Sequence, residues 1–221
     1  MIQYSTFTFL DKLRQNNNSE WFKANDEEYR EARADVISFV SQIIQGLSIM
    51  DQSIQSQYLV PHKCIKRINR DIRFSLNKTP YKSHFFVTFN PGGNKSEGAG
   101  YYMSIEPKNS FVGGGVYMPP TAVLNKFRKE IEYNLAEWEE IINAPSFLKT
   151  FPNGVEASSL LKTSPRGFDK DSEAIEYLRM KGYYTSIGLS NKELTSPDAI
   201  STVLNAYKEV KPMIGFLNAV M

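Results

Sequence analysis

The sequence has little of the chemistry that builds disulfides and metal centres. It contains one cysteine, Cys64, and two histidines. A single cysteine forms no disulfide within the chain, which fits a reducing compartment. It also excludes a metal cluster built on several cysteines, and two histidines leave little for a histidine-based site. We therefore predict no metal and no cofactor, and we interpret Cys64 as a small buried hydrophobe rather than a nucleophile.

The sequence also lacks long apolar runs. No stretch approaches the roughly 20 apolar residues that span a bilayer. The N-terminus has no basic segment followed by an apolar run, as a signal peptide would have. The expectation is a soluble cytoplasmic protein without a membrane partner. The net charge of +2 is nearly neutral, so the total charge does not predict a nucleic-acid binder.

The chain does contain enough apolar and aromatic residues for a folded core. Hydrophobic residues make up 41% and aromatic residues 13% of the sequence, which argues against a disordered chain. A chain of 221 residues forms one large domain or two small ones. Because there is no internal repeat, low-complexity segment or clear linker, the simplest organisation is a single domain over residues 1–221.

Apolar residues recur at helical spacing towards both ends of the chain. Ser19 is a candidate cap for a short second helix. A serine followed by proline, at 196–197, is typical of a helix start. Helices are predicted over 5–15, 27–49, 122–134, 135–143, 146–151, 169–181 and 196–210, with a last helix after an interruption at Lys211-Pro212.

Alternating apolar and polar residues predict consecutive strands at 84–90, 100–106 and 110–117. The last two are joined by Pro107-Lys108-Asn109, which is typical of a hairpin turn. These runs indicate an antiparallel meander, with a glycine-rich polar loop between the first two strands.

Two weaker patterns extend this sheet. Residues 183–189 alternate like a fourth strand, and a strand near 63–67 is expected to run into a turn of helix. The predicted fold class is α+β, with an antiparallel sheet packed against helices from the N- and C-terminal parts.

The densest cluster of chemistry is the stretch from Arg67 to Lys82, here called the basic run. Its five cations are Arg67, Arg70, Arg73, Lys78 and Lys82. Residues 52–96 carry eight lysines or arginines and one acidic residue, Asp71, so a local basic surface is predicted. Arginine matches a carboxylate or phosphate with its planar fork, and lysine adds a compact charge. The hypothesis is an anion site; the alternative is that Asp71 braces one arginine while the other cations face water.

Three further residues are candidates for this site. Gly114, inside a run of three glycines, can present a backbone N–H to an anion, although a bulge or a close backbone approach explains these glycines as well. Arg166 lies between Lys162 and Lys170, in a segment that either folds back onto the same pocket or is a solvated loop. Asp71 is the candidate catalytic residue, either orienting the cations or acting as a base. No facing pair of carboxylates is recognisable, which leaves open whether the protein is an enzyme.

Several short motifs run through almost the whole chain. They are Phe9-Leu10, Asn16-Asn17, Trp21-Phe22, Arg70-Asp71-Ile72-Arg73-Phe74, Lys78-Thr79-Pro80-Tyr81-Lys82, Gly113-Gly114-Gly115, Leu161-Lys162 and Pro165-Arg166-Gly167-Phe168-Asp169. With these motifs the sequence resembles a widespread conserved hypothetical family of bacteria and fungi, catalogued as a domain of unknown function. The resemblance implies a single α+β domain, and it implies no activity, cofactor or catalytic residue.

The leading functional hypothesis is a basic pocket for an anionic small molecule that carries a phosphate or a carboxylate. The alternative is a non-enzymatic interaction module that uses the same basic surface for a protein or a nucleic acid. A concave pocket where the basic run meets Gly114 and Arg166 would favour the small ligand, whereas a flat basic face would favour a macromolecule. The oligomeric state is not predicted.

Overall fold

A computed structural model describes residues 1–91, 93 and 96–221. Gly92, Asn94 and Lys95, in the predicted glycine-rich loop, lie outside the described residues. The described chain combines helices with a four-stranded antiparallel sheet. The α+β class predicted from the sequence is therefore confirmed.

The helices and strands are numbered here in chain order. The helices are α1 Tyr4–Gln15, α2 Ser19–Ala24, α3 Asp26–Met50, α4 Gln52–Gln55, α5 Pro61–Cys64, α6 Thr121–Tyr133, α7 Leu135–Ile142, α8 Pro145–Thr150, α9 Ile175–Leu178, α10 Asn191–Leu194 and α11 Ala199–Asn218. The strands are β1 Phe85–Phe89, β2 Gly100–Ile105, β3 Ser110–Val116 and β4 Tyr183–Leu189. None of the helices in the described part of the chain is long and apolar enough to cross a membrane.

The strands follow one another across the sheet in the order β1-β2-β3-β4. The predicted meander and its fourth strand are thus confirmed. In β1 the alternating residues Phe85, Val87 and Phe89 are buried, as the period of two in the sequence indicates. The turn between β2 and β3 holds Lys108 with a φ of 64°, a left-handed conformation that tight hairpin turns require.

Residue contacts divide the chain into two compact units. The first comprises Met1–Phe89, Tyr102–Val112 and Gly188–Leu204, and the second comprises Asn90–Tyr101, Gly113–Ile187 and Asn205–Met221. Strands β2, β3 and β4 and helix α11 each have one end in either unit. The single domain inferred from the sequence stays a prediction.

Each unit has its own group of buried aromatic and aliphatic side chains. In the first unit α1 packs on α3, which buries Leu10 and Leu13 of α1 and Phe39 and Ile43 of α3. In the second unit Trp138 of α7 is fully buried. Its ring lies against Tyr177, Tyr183 and Phe216, at centroid distances between 5.3 and 6.0 Å.

The stretch before β1 differs from the prediction. The strand expected near 63–67 is a short helix, α5, followed by isolated antiparallel bridges from Ile65 to Val87 and from Asn69 to Tyr81. Pro61 begins that helix at a position where its missing N–H costs nothing. No turn of helix follows, because the backbone of this stretch is paired with residues 80–82 instead.

The C-terminal helix also differs from the prediction. The expected interruption at Lys211-Pro212 is wrong, because α11 continues through Pro212. An internal proline costs a helix about 3 kcal/mol. Around it Val210, Met213, Ile214 and Leu217 are buried, and burying each such side chain contributes about 1.5–3 kcal/mol. The buried face of the helix therefore outweighs the proline.

Two smaller predictions are corrected as well. The helix expected over 169–181 is limited to α9, since residues 169–174 form turns in which Asp169 Oδ1 accepts from the N–H of Asp171. Ser19 does not cap α2. The cap is Asn18, whose Oδ1 accepts from the N–H of Trp21 at 2.9 Å, and asparagine is as good a helix cap as serine.

Candidate functional site

The basic run lies where two segments of the first unit pair with each other. The N–H of Arg70 donates to the carbonyl of Pro80, and the N–H of Lys82 donates to the carbonyl of Ile68, both at 2.8 Å. Pro80 has no N–H to donate in return, so the pairing stops there. Residues 71–79 form the loop that joins the two segments. This pairing brings Lys82 beside the start of the run, 15 residues earlier at Arg67.

Hydrogen bonds to the loop engage three cations, two within it and one just before it. Arg73 donates from Nε and Nη2 to the two carboxylate oxygens of Asp71, at 3.0 and 2.7 Å. The ammonium of Lys78 donates to the carbonyl of Ile72 at 3.0 Å. Arg70 Nη1 donates to the hydroxyl of Thr79. The predicted brace between Asp71 and one arginine is therefore present, and that arginine is Arg73.

Four cations lie beside this loop, among them Arg70: Lys66, Arg67, Arg70 and Lys82, here called the basic group. The pKa of Lys82 lies below its ordinary value because the side chain is partly buried and because Arg67, Lys66 and Arg70 repel its charge. Its ammonium donates to the carbonyl of Arg67 at 3.1 Å. Within the described residues no carboxylate forms an ion pair with any member of the group. The group thus concentrates positive charge, and among the described residues the carboxylate of Asp71 acts on it through Arg67 without forming an ion pair with it.

Two members of the basic group, Arg67 and Arg70, line a small cavity. The cavity has a volume of about 260 Å³ and is lined by Arg67, Asn69, Arg70, Asp71 and Arg73. Most of these side chains are exposed, so the cavity is open to solvent. Its volume falls just below the range of about 300–1,000 Å³ that is usual for drug-sized ligands. Three of the five lining residues are arginines and one, Asp71, is acidic.

Asp71 is better suited to orient a cation than to take up a proton. Hydrogen bonds from the side chain and the backbone of Arg73 lower the pKa of its carboxyl, with a smaller contribution from Arg67. A carboxylate with a lowered pKa is a weaker base. The role of Asp71, either orienting the cations or acting as a base, stays a prediction.

Asn17 fixes the base of the loop, a role that sequence reasoning missed. Its side-chain amide donates to the carbonyl of Tyr81 at 2.9 Å and accepts from the N–H of Tyr81 at 3.0 Å. The ring of Tyr81 also stacks on Phe22, with centroids 4.0 Å apart. Tyr81 precedes Lys82, so these contacts position a member of the basic group. In the sequence, an asparagine pair after a helical pattern indicates the end of a helix, because Asn tolerates the conformation that stops helices, and it gives no sign of a contact with Tyr81.

The other two candidates, Gly114 and Arg166, belong to the second unit. A Cβ on Gly114 would lie 2.8 Å from Ile214 and 2.9 Å from Val210, so the glycine admits the side chains of α11. Arg166 lines a separate cavity together with Arg128 and Lys181. Neither candidate is among the residues that line the cavity of the basic group.

Two further features bear on the chemistry of the chain. Burial raises the pKa of the Cys64 thiol to about 11, so the thiol stays protonated and is not an activated nucleophile. No cluster of histidine, cysteine and acidic side chains able to hold a metal ion occurs among the described residues.

Replacing Arg67 with glutamine is expected to raise the pKa of Lys82. The substitution removes the strongest of the three repulsive charges, and a protonated lysine is easier to form when a neighbouring cation is lost. The pKa stays below its ordinary value because the burial of Lys82 is unchanged. An NMR titration of the lysine side chains measures the shift. The matched control is Lys63→Gln, an exposed cation outside the group. An unchanged pKa in Arg67→Gln would show that the two side chains are not close.

Comparison with known proteins gave one match. The profile of a family described as "Conserved hypothetical protein (DUF2461)" matches residues 5–216. Neither the search of curated proteins nor the search of solved structures gave a match.

Proposed function

The chain belongs to the conserved hypothetical family DUF2461, and we propose that its basic group binds a ligand bearing a phosphate or a carboxylate. Arg67, Arg70 and Lys82 hold the anion, and Lys66 adds to the local positive charge. Arg73 has a smaller role because Asp71 neutralises its guanidinium. Lys78 has a smaller role because it is not among the cations whose charges lower the pKa of Lys82.

One observation carries the proposal: the cations of the basic group are crowded together without an ion-paired carboxylate among the described residues. Crowded cations repel one another, and the pKa of Lys82 is lowered first by burial of the side chain and then by the charges of Arg67, Lys66 and Arg70. An anion between them would relieve it. Charge-assisted hydrogen bonds from arginine forks to phosphate or carboxylate oxygens are also among the stronger polar contacts in proteins.

The proposal is tested by titrating the protein with inorganic phosphate, pyrophosphate and citrate, followed by calorimetry and by the melting temperature. Replacing Arg67, Arg70 or Lys82 with glutamine is expected to weaken the binding about tenfold, since a hydrogen bond to a charged group contributes about 1.5–3 kcal/mol. Arg73→Gln and Lys78→Gln are expected to have smaller effects. A bound anion raises the melting temperature in proportion to the logarithm of its concentration.

The matched control is Lys63→Gln, which removes the same unit of charge at an exposed position outside the basic group. It is expected to leave the affinity almost unchanged. If none of the three anions raises the melting temperature of the wild-type protein, or if Lys63→Gln weakens binding as much as Arg70→Gln, the basic group is not the anion site.

A specific observation favours the alternative, a non-enzymatic interaction with a macromolecule. The rings of Phe86, Tyr102 and Phe111 in the first unit are half-exposed and lie with centroids 6.1–6.4 Å apart. Phe74 and Leu76 of the loop are fully exposed, at 96% and 102%. Aromatic rings beside cations are typical of proteins that bind single-stranded nucleic acid.

A fluorescently labelled oligothymidine distinguishes the two functions. If it binds, with an affinity that Arg67→Gln and Phe111→Ala both reduce and that falls steeply with salt, the alternative is supported. If the three small anions bind and the oligonucleotide does not, the small-ligand proposal is supported.

A further inference from the structure

A second cavity lies within the second unit. It has a volume of about 440 Å³, inside the range of about 300–1,000 Å³ that is usual for small-molecule sites. The residues that line it come from α6 and from two loop segments: Thr121, Leu124, Asn125, Arg128, Leu161, Thr163, Ser164, Pro165, Arg166 and Lys181. Three of them are cations and none is acidic. The cavity therefore combines room for a small organic molecule with positive charge.

Helix α6 supplies one wall of the cavity. Thr121, Asn125 and Arg128 follow one another at intervals of four and three residues, which places them on one face of the helix. The cap residue is Pro120, and no side chain caps the helix. Because Thr121 both begins the helix and lines the cavity, the positive end of the helix dipole lies at this wall.

Arg128 is the unusual residue of this wall, because its guanidinium is buried without a counter-ion. Only 4% of the residue is exposed. Nη1 donates to Asn125 Oδ1 at 3.1 Å and Nη2 donates to the carbonyl of Met180 at 3.0 Å, so both acceptors are neutral. Within the described residues Nε has no hydrogen-bond partner. Burial lowers the pKa of Arg128, although the neighbouring hydroxyl of Tyr183 partly offsets the effect.

Two exposed cations, Arg166 and Lys181, complete the positive lining. Neither forms an ion pair within the part of the chain that the structure describes. Of the basic cluster noted in the sequence, Arg166 lines the cavity, whereas Lys162 and Lys170 do not. The segment around Arg166 is held by the hydroxyl of Ser164, which donates to the carbonyl of Phe168 at 2.7 Å. This hydrogen bond holds the backbone of the turn from which the side chain of Arg166 extends.

A purely structural role for Arg128 explains only part of this arrangement. Its bond to Met180 braces α6 against the segment that follows α9. That role accounts for the two Nη atoms, but it leaves Nε without an acceptor and leaves the charge without a counter-ion, and a buried charge of that kind is costly. It also does not explain why Arg166 and Lys181 line the same cavity.

We propose that this cavity, which is distinct from the basic group, binds a small organic molecule through a phosphate group held by Arg128, Arg166 and Lys181. Phosphate is favoured over a single carboxylate because three cations match a group of nearly two negative charges. Its oxygens also accept hydrogen bonds from the hydroxyls of Thr121 and Thr163. The apolar side chains of Leu124, Leu161 and Pro165 line the space for the organic part.

The test uses phenyl phosphate, inorganic phosphate and benzoate with the full chain. Phenyl phosphate is expected to bind most tightly and to shift the NMR signal of the Arg128 Nε–H, which is identified by its absence in Arg128→Lys. Arg166→Gln and Lys181→Gln are each expected to weaken the binding of phenyl phosphate about tenfold, the effect of losing one charged hydrogen bond. These two exposed positions carry the test if Arg128→Lys does not fold.

The matched control is Lys162→Gln, an exposed cation of the same segment that does not line the cavity. Its affinity for phenyl phosphate is expected to stay within about twofold of the wild-type value, since exposed charges outside a site are screened by salt. Arg70→Gln in the first unit separates the two sites: it is expected to weaken phosphate binding at the basic group and to leave the shift of the Arg128 signal unchanged.

Three results would overturn the proposal. The first is an Arg128 NMR signal that does not shift when phenyl phosphate is added. The second is an Arg166→Gln variant that binds phenyl phosphate as tightly as Lys162→Gln does. Equal affinity for benzoate and phenyl phosphate would overturn the assignment to phosphate.

Discussion

The Gly113→Ala variant is expected to lose about 3 kcal/mol or more of its free energy of unfolding, which corresponds to a fall in melting temperature of roughly 6–12 °C. An added Cβ at Gly113 would lie 2.0 Å from the carbonyl oxygen of Thr185 and 2.9 Å from the Cα of Ser186. Both atoms belong to the backbone of β4, which cannot turn aside as a side chain can. Strands β3 and β4 would have to separate locally, and their hydrogen bonds would be lost.

Gly215→Ala is the matched control for this variant, because it makes the same substitution in an environment without a clash. Apart from its chain neighbours and the backbone of its own helix turn, no atom of the described residues lies within 4 Å of a Cβ built on Gly215, and the residue lies inside α11. Alanine is favoured over glycine in a helix by about 0.5–1 kcal/mol, so the melting temperature should rise slightly. Thermal unfolding followed by circular dichroism compares the two variants. Equal stability of Gly113→Ala and wild type would show that β3 and β4 are not packed this closely.

The same geometry explains why three glycines stand in one strand. Gly113 and Gly115 admit the backbone of β4, at Thr185 and Tyr183, and Gly114 admits side chains of α11. The sequence suggested either a close backbone approach, a bulge or an anion-binding loop. Which of these applies depends on a partner strand that lies about 70 residues further along the chain. The residues next to the three glycines do not indicate which strand the partner is.

Elements whose own residues determine them could be predicted. Helix α3 carries Val36, Phe39, Val40, Ile43 and Leu47 at helical spacing, and all five are buried. In strand β1, buried residues alternate with partly exposed ones along the strand. In both cases the apolar period matches the secondary structure, and burial of that face supplies the stability. The α+β class followed from these local patterns.

Elements that depend on distant partners could not be predicted. The pairing of residues 65–70 with 80–87 consists of isolated bridges, so it leaves no alternation for a strand prediction to detect. Part of it is completed by the side chain of Asn17, far away in sequence. In α11, burial on both sides of Pro212 outweighs the helix-breaking effect of the proline. Tertiary contacts decide these segments.

In the candidate site, too, some features could be predicted from local residues and others depend on partners elsewhere in the chain. The cations of the basic run were evident from composition, but their individual partners were not. Arg73 is held by Asp71, whereas Arg67 and Arg70 remain without a carboxylate in the described residues. Arg128 shares the buried face of α6 with Leu124, Phe127 and Ile131. A charged residue among apolar ones at helical spacing is the signal that could have marked it, because a buried charge requires a partner.

The Asn17→Ala variant is expected to lose about 2–4 kcal/mol of its free energy of unfolding and to bind phosphate at the basic group more weakly. The substitution removes the hydrogen bonds to both the N–H and the carbonyl of Tyr81, a residue that is 8% exposed. Each buried polar group left without a partner costs about 1–3 kcal/mol. Tyr81 then no longer holds the backbone next to Lys82. The ammonium of Lys82 is therefore no longer positioned beside Arg67 and Arg70.

Asn16→Ala is the matched control, since among the described residues the side chain of Asn16 has one hydrogen bond, which it donates to the carbonyl of Lys12 in the preceding helix α1 at 2.9 Å. Its loss should cost about 1 kcal/mol and should leave phosphate binding unchanged. Asn17→Asp keeps the acceptor for the N–H of Tyr81 but loses the donor to its carbonyl, so its stability should lie between those of Asn17→Ala and wild type. Chemical denaturation and phosphate titration measure both effects. If Asn17→Ala binds phosphate with wild-type affinity, Tyr81 does not position Lys82, and the anion must be held by the arginines alone.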